Sequence, residues 1–342
     1  TKFLTMRNEV NYDVTNDNNM SFQPSLSSGG TTILAPSKIV EQRNPSYYWA
    51  LRNYLNYNQS FGQHNINAQI GHEAQASYYD NILASRQNLA LNIPSIAAGE
   101  QENQDNEGGK GDWAMESYFL RAGYAYDNRY SVNLSLRRDG SSNFGPDRKL
   151  GYFPAASVGW TVTNEKFAKN LKVLNYLKVR AGVGAVGSSN VGGASYATNI
   201  RLFATGPFGA GGVPDNVGNP ALGWESVTTY NGGFDAGFLN GRLDVTFDIY
   251  KKITSDMLMA TRLPKYTGIG TEWNDIKSPN VNAGRMTNTG FDIGISSTNI
   301  SKNGFTWKTN LVLSHYKNRL DKLNSDQADL MPHPLGESTD QR

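Results

Sequence analysis

A chain of 342 residues with 32 Lys and Arg against 30 Asp and Glu carries a formal charge of +2, which excludes the basic footprint of a nucleic-acid binder and an acidic disordered tail. It has no cysteine, so a disulfide framework, a thiolate metal site and a thiol nucleophile are all excluded. A mean hydropathy of -0.53 and the lack of any apolar run near ~20 residues exclude a spanning helix, but not a membrane barrel, in which only alternate residues meet lipid.

The first run with strand character spans Lys2 to Val14, where Leu4, Met6, Val10, Tyr12 and Val14 share one parity and Thr5, Arg7, Glu9 and Asp13 the other. Alternation begins at once with no leader ahead of it, so the chain is expected to start inside a domain. A polar stretch to about Asn44 reads as a loop, and Tyr47, Trp49, Leu51, Leu55 and Tyr57 mark a second strand. A short turn, Asn58 to Gly62, leads to a third, on which His64, Ile66, Ala68, Ile70, His72 and Ala74 alternate with Asn65, Asn67, Gln69 and Glu73. Ser77 to Asp112 is expected to be a long loop, its second half, GEQENQDNEGGKGD, charged, rich in glycine and solvated. Two strands follow, separated only by Asp127, Asn128 and Arg129. Tyr118, Leu120, Ala122, Tyr124 and Tyr126 line one face of the first, and Tyr130, Val132, Leu134 and Leu136 continue it on the second, a tight hairpin.

After a loop carrying Asp139, Gly140, Gly145 and Pro146, a strand places Ala156, Val158, Trp160 and Val162 on one face, and Asn164 to Leu171 reads as a brief helical turn. Leu177, Val179, Ala181 and Val183 form the next strand, followed by a glycine-rich loop ending near Asn219 and Pro220. Tyr230, Phe234, Ala236 and Phe238 then pair with Leu243, Val245, Phe247 and Ile249 across Asn240-Gly241, a dipeptide that favours a type I′ turn with positive φ at both positions. A loop from about Met259 to Asn280 precedes Phe291, Ile293 and Ile295. A second Asn-Gly turn at Asn303 and Gly304 opens the last strand, with Phe305, Trp307, Leu311 and Leu313.

This gives about eleven strands whose connections alternate between short turns and long loops. A soluble sandwich has no reason to gather its long connections at one end, whereas an outer-membrane barrel has short periplasmic turns and long extracellular loops. The fold expected is therefore all-β, a transmembrane antiparallel β-barrel, with residues 1–342 forming part of one barrel. An odd strand count cannot close a bacterial barrel, so the chain is expected to be a fragment. Tyr126, Tyr130, Tyr152, Trp160, Phe238 and Trp307, near strand ends, are expected in the interfacial girdles.

Several segments also resemble one family. SYFLRAGYAYDNRYSVNLSLRRDGSSNFGP, GYFPAASVGWTVTNEKF and LNYLKVRAGVGAVGSSN, then NPALGWESVTTYNGGFDAGFLNGRLDVTFDIYKKITSDML and NVNAGRMTNTGFDIGIS, resemble in order and spacing the barrel of SusC/RagA-type TonB-linked outer-membrane transporters. The resemblance covers Ser117 to Leu320 clearly and the earlier residues more loosely. It implies a barrel of about 22 strands plugged by an N-terminal domain. It also implies a SusD-like surface lipoprotein as lid, energy from the TonB complex reached through a region outside this sequence, and a dimer of transporter–lipoprotein pairs. Oligosaccharide or peptide is the implied cargo and outer-membrane lipid the surroundings. A passive porin or an adhesive surface barrel is the alternative reading.

No site for bond-making chemistry stands out, and neither an enzymatic role nor a cofactor is expected. Gly182-Val183-Gly184-Ala185-Val186-Gly187 fits G-x-G-x-x-G, yet no helix follows and the nearest downstream acid is Asp215, so the dinucleotide reading fails. His64 and His72 lie eight residues apart on one strand face, beyond the reach of one metal ion. Arg121, Arg137, Arg180, Asp235, Asp244, Asp248 and Asp292 fall on polar faces, and ionisable groups at membrane depth are tolerated only toward water or protein. They are expected to line the lumen or meet a plug. Substrate is expected at the loops, where Tyr78, Tyr79, Phe203, Phe208, Tyr266 and Trp273 offer aromatic faces among amides.

Overall fold

The computed structural model describes residues 3–28, 32–168, 173–191, 195–203, 209, 211–261 and 276–322, and no α-helix occurs among them. The main sheet holds eleven strands in sequence order. We number them β1 (Leu4–Gln23), β2 (Lys38–Phe61), β3 (His64–Gln87), β4 (Gln104–Tyr126), β5 (Tyr130–Ser141), β6 (Leu150–Thr161), β7 (Leu174–Ser188), β8 (Glu225–Phe238), β9 (Leu243–Ser255), β10 (Arg285–Lys302) and β11 (Phe305–Lys322). All the expected strands are present, paired as an antiparallel meander. β1 and β11 are both edges, so the sheet is open.

The strands outrun their sequence signal. β1 to β4 are 20 to 24 residues long and take in much of what reads as loop, including Ser77 to Gln87 and Gln104 to Asp112. Beyond the hydrocarbon band both faces of a strand meet water. Backbone pairing then continues without any apolar–polar alternation to reveal it. Residues 8–52 and 73–116 form one compact unit, and 1–7, 53–72 and 117–342 another. In the first, Arg52 pairs with Glu73 at 2.6 Å, Tyr48 donates to Gln75 at 2.7 Å, and Ile39 and Ala50 are buried. The backbone N–H of Leu89 donates to the Ser37 hydroxyl at 2.6 Å.

In the larger unit the register fixes the strand slant. A ladder of opposed residues runs from Tyr130 through Trp160, Val179, Phe234, Phe247 and Ile293 to Leu313. It begins on the first residue of β5 and ends half-way along β11. The strands are thus staggered, the tilt that barrel geometry demands. All these side chains lie on the apolar face, where Leu134, Ile249 and Leu313 are each more than half exposed, at 54%, 58% and 53%. So large a bare apolar surface is stable only against hydrocarbon.

The connections alternate as expected except at one pair, since 142–149 on the long-loop side is shorter than 162–173 on the other. Asn303 and Gly304 have φ of 53° and 80°, the positive pair that a type I′ turn requires. Around Asn240 the expectation of a two-residue turn is corrected. Leu239, Asn240 and Gly241 all take positive φ, and the strands stop at Phe238 and Leu243. Leu239 is diverted because its N–H donates to the Val173 carbonyl at 3.0 Å.

The connection 162–173 contains two 3-10 turns, Val162–Asn164 and Lys166–Ala168, with Glu165 between them. The Glu165 carboxylate accepts from the Tyr130 hydroxyl, from Trp160 Nε1 at 3.2 Å and from Arg129 Nη1 at 3.1 Å. These donors, Tyr130 foremost, hold the Glu165 carboxyl below the usual carboxylate range. The Arg129 guanidinium also lies 5.6 Å from the Tyr126 ring centroid. Two expected girdle aromatics, Tyr130 and Trp160, thus form a hydrogen-bonded clasp over two hairpins, with Tyr126 joined through the Arg129 guanidinium.

The two faces of β9 give a direct test. Arginine in place of Phe247, on the lipid side, is expected to cost about 2–4 kcal/mol near the midplane. Arginine in place of Thr246, opposite Gly294 on the other side, is expected to cost far less. Urea unfolding in lipid vesicles measures both, and equal losses would reverse or abolish the assignment of faces.

Candidate functional site

The polar face of the larger unit carries a rung of charge. In the ladder one step along from the apolar row, Gly159 opposes Arg180, Arg180 opposes Gly233, Gly233 opposes Asp248 and Asp248 opposes Asp292. Glycine at 233 lets the arginine reach over an entire strand. Arg180 Nη1 and Nη2 donate to Asp248 Oδ1 and Oδ2 at 2.6 and 2.7 Å, and Nε to Asp235 Oδ2 at 3.1 Å. A Cβ at 233 would stand 2.4 Å from the Phe247 carbonyl oxygen and 2.6 Å from Asp248 Oδ1, so a larger residue would force the strand or the paired carboxylate to shift. Asn231 Nδ2 adds a third donor to Asp248 at 3.0 Å.

Around this rung is a cavity of about 800 Å³, lined by Arg121, Arg180, Asp248, Tyr250, Lys252 and Asp292 among other groups. The structure thus gathers four of the seven charged residues expected to face inward. Asp235 joins them through Arg180. Asp244 faces Gly237 and Ser296, nearer the short turns and outside the cavity. Arg137 serves the other end, its Nε 2.7 Å from Asp139 Oδ1 and its Nη2 2.9 Å from the Ser117 hydroxyl, both partners being buried. Gly182 and Gly184 line the cavity, and residues 182–187 lie within β7, which rules out a helix-opening phosphate loop. His64 Nδ1 lies 2.7 Å from the Tyr124 hydroxyl, and the His72 ring is 4.8 Å from that of Tyr118.

At the long-loop end the connections are built on a small core that the sequence reading missed. Phe144 and Leu222 are completely buried. The Trp224 ring lies 5.3 Å from that of Phe144 and 5.4 Å from that of Phe153, while its Nε1 donates to the Lys149 carbonyl at 3.0 Å. Asparagines tie the loops together. Asn282 Nδ2 donates to the Gly223 carbonyl at 2.8 Å and its Oδ1 accepts from the Gly223 N–H at 2.7 Å. Asn219 Nδ2 reaches the Asn280 carbonyl at 2.9 Å, and Asn280 Nδ2 the Ser195 hydroxyl at 3.2 Å. The available signal was the pair of sequences SSNFGP and NPALGWES, whose aromatic and asparagine residues meet here.

The expected aromatic contacts separate. Tyr78 and Tyr79 lie on β3 and not in a loop, and therefore face opposite ways. The Tyr78 ring stacks 6.4 Å from Tyr47, on the parity of Trp49, whereas Tyr79 covers Gly111 on the opposite parity. Phe203 lies in the short strand Ile200–Phe203, paired with Gly211–Pro214. Phe208, Tyr266 and Trp273 fall outside the described residues.

With this geometry in hand, comparison with known proteins is decisive. The family described as TonB dependent receptor-like, beta-barrel, matches residues 1–335. The chain belongs to the TonB-dependent receptor barrel family. This barrel segment is an outer-membrane protein and is similar to SusC and RagA-type receptors. It is 30% identical over 330 residues to TonB-dependent receptor P39 of Formosa agariphila, covering 94% of this chain and 30% of that protein. To TonB-dependent receptor SusC of Bacteroides thetaiotaomicron it is 35% identical over 217 residues, 61% of this chain and 21% of the relative. Among solved structures, the RagAB peptide importer in its closed-closed state superposes with a TM-score of 0.86 at 25% identity, over 95% of this chain and 35% of that one. The chain thus spans about a third of the length of the relatives it matches.

The loop core carries its own prediction. Phe144→Ala in the receptor barrel removes a fully buried ring and is expected to cost about 3–5 kcal/mol of local stability. Hydrogen exchange should then rise in 215–224 and 280–284 while β9 stays protected. Unchanged exchange in both loops would mean that the Phe144 contacts do not hold them.

Proposed function

We propose that this chain is the barrel wall of a SusC/RagA-type importer that admits oligosaccharide or peptide through the outer membrane, with a SusD-like lipoprotein as lid and TonB-derived energy. The observation that carries the reading is the charged rung on the inner face. Arg180, Asp235, Asp248 and Asp292 sit along strands whose other face is bare and apolar, and charge at that depth calls for a water- or protein-filled interior. A plug domain seated against Arg121, Arg180, Asp248 and Asp292 would meet both signs of charge on a cavity wall thinned by glycine. The likeness to the RagAB peptide importer over nearly the whole chain supports the same reading.

In this account no covalent chemistry occurs on the barrel. Tyr79 has the inward parity on the upper part of β3 and is the stronger contact for cargo, with Phe203, Phe208, Tyr266 and Trp273 proposed as further aromatic contacts. Arg137, tied to Asp139 and Ser117, braces one end of the wall, and Asp244 adds charge toward the other. A dimer of barrel–lipoprotein pairs is the assembly expected.

The transport claim and the passive-pore alternative separate cleanly in cells that carry the full-length protein. Uptake of a labelled oligosaccharide or peptide should collapse when an ionophore dissipates the proton gradient, because the energy is supplied from the inner membrane. Flux that survives the ionophore would establish a passive pore.

A further inference from the structure

On the apolar face, residues of β4 to β8 line an apolar groove of about 490 Å³. Its floor is Ala122 and Ala156, and its walls are Leu120, Leu134, Leu136 and Val183. Because Ala156 stands opposite both Leu134 and Val183, the depression follows from a small residue set between larger ones on paired strands. This face meets hydrocarbon, so the groove is shaped to seat an acyl chain rather than a polar ligand.

One step toward the long loops the character of the face changes. Leu136 opposes Pro154, and the next outward pair is Arg138 opposite Tyr152. The Arg138 guanidinium lies 5.6 Å from the centroid of the Tyr118 ring, which also packs on His72. At that distance the ring face attracts the guanidinium and holds it beside the groove. Its chain neighbour Arg137, on the inner face, is tied to Asp139, whereas no carboxylate among the described residues pairs with Arg138. An arginine with exposed Tyr152 beside it, directly above an apolar groove, is complementary to a headgroup phosphate whose acyl chain lies below.

The geometry points to a site for one phosphorylated, acylated glycolipid of the outer leaflet, its phosphate on Arg138 and one acyl chain between Leu120 and Leu136 over Ala122 and Ala156. The leaflet follows from direction, since β5 rises through Leu136 and Arg138 toward the connection 142–149, on the side of the long loops.

The test uses the full-length receptor, delipidated in detergent and titrated with lipid A, with dephosphorylated lipid A and with phosphatidylglycerol, bound lipid being counted by native mass spectrometry. Lipid A should bind about tenfold more tightly than its dephosphorylated form, and Arg138→Gln should erase that difference. Ala156→Leu, which fills the groove floor, should weaken both forms together. Folding of each variant is checked by the heat-dependent gel mobility of the barrel. If Arg138→Gln binds lipid A as the unaltered receptor does, the phosphate site is overturned. If Ala156→Leu leaves binding unchanged, the acyl seat is overturned. Equal binding of phosphatidylglycerol and lipid A would overturn the assignment to an outer-leaflet glycolipid.

Discussion

A strand at membrane depth presents one side chain to hydrocarbon and the next to whatever fills the interior, while its own N–H and C=O groups find partners only in neighbouring strands. Everything else in this chain depends on that constraint. It is why Val245, Phe247 and Ile249 alternate with Asp244, Thr246 and Asp248, and why each outer residue meets an outer residue on the next strand. A shift of one residue in register would send Arg180 into lipid and Val179 into the interior, so the sheet is pinned far more firmly than its modest side-chain contacts suggest.

Within that frame, glycine decides where charges meet. Arg180 lies between Gly159 and Gly233, and the missing side chain at 233 lets its guanidinium bind Asp248 on the second strand over. Ion pairs at such a place add little to stability once their desolvation is counted, but a charge left alone there is costly. The rung therefore makes the inner wall charged and specific without loosening it. At the two rims a different economy holds, with Glu165 drawing Tyr130, Trp160 and Arg129 together at one end and Asn282 and Trp224 fastening the loops at the other.

Period-two alternation made the number, order and facing of the eleven strands legible in the sequence, because lipid enforces that pattern and few other environments do. The same rule explains what was illegible. The upper halves of β3 and β4 carry sequence such as QDNEGGKGD, in which nothing alternates because water lies on both sides and the backbone ladder alone makes the strand. Tyr78 and Tyr79 were therefore read as loop residues with one role, whereas strand geometry gives them opposite faces. The charges of the polar faces were legible individually, yet their meeting was not. That Arg180 would reach Asp248 past Gly233 depends on register, which the turn at Leu239 to Gly241 sets in a way its Asn-Gly dipeptide does not announce. The buried Phe144, Leu222 and Trp224 lay in motifs quoted for family likeness, with no local signal that two distant loops would share a core.

The central claim is that one sheet face meets lipid and the other a wet interior. It is tested most directly by single spin labels placed in turn from Leu243 to Ser255 on β9 of the full-length receptor in bilayers. Collision with dissolved oxygen should peak at 245, 247 and 249, and collision with a water-soluble nickel complex at 244, 246 and 248. Accessibility without that period of two, or with the parities exchanged, would contradict the account.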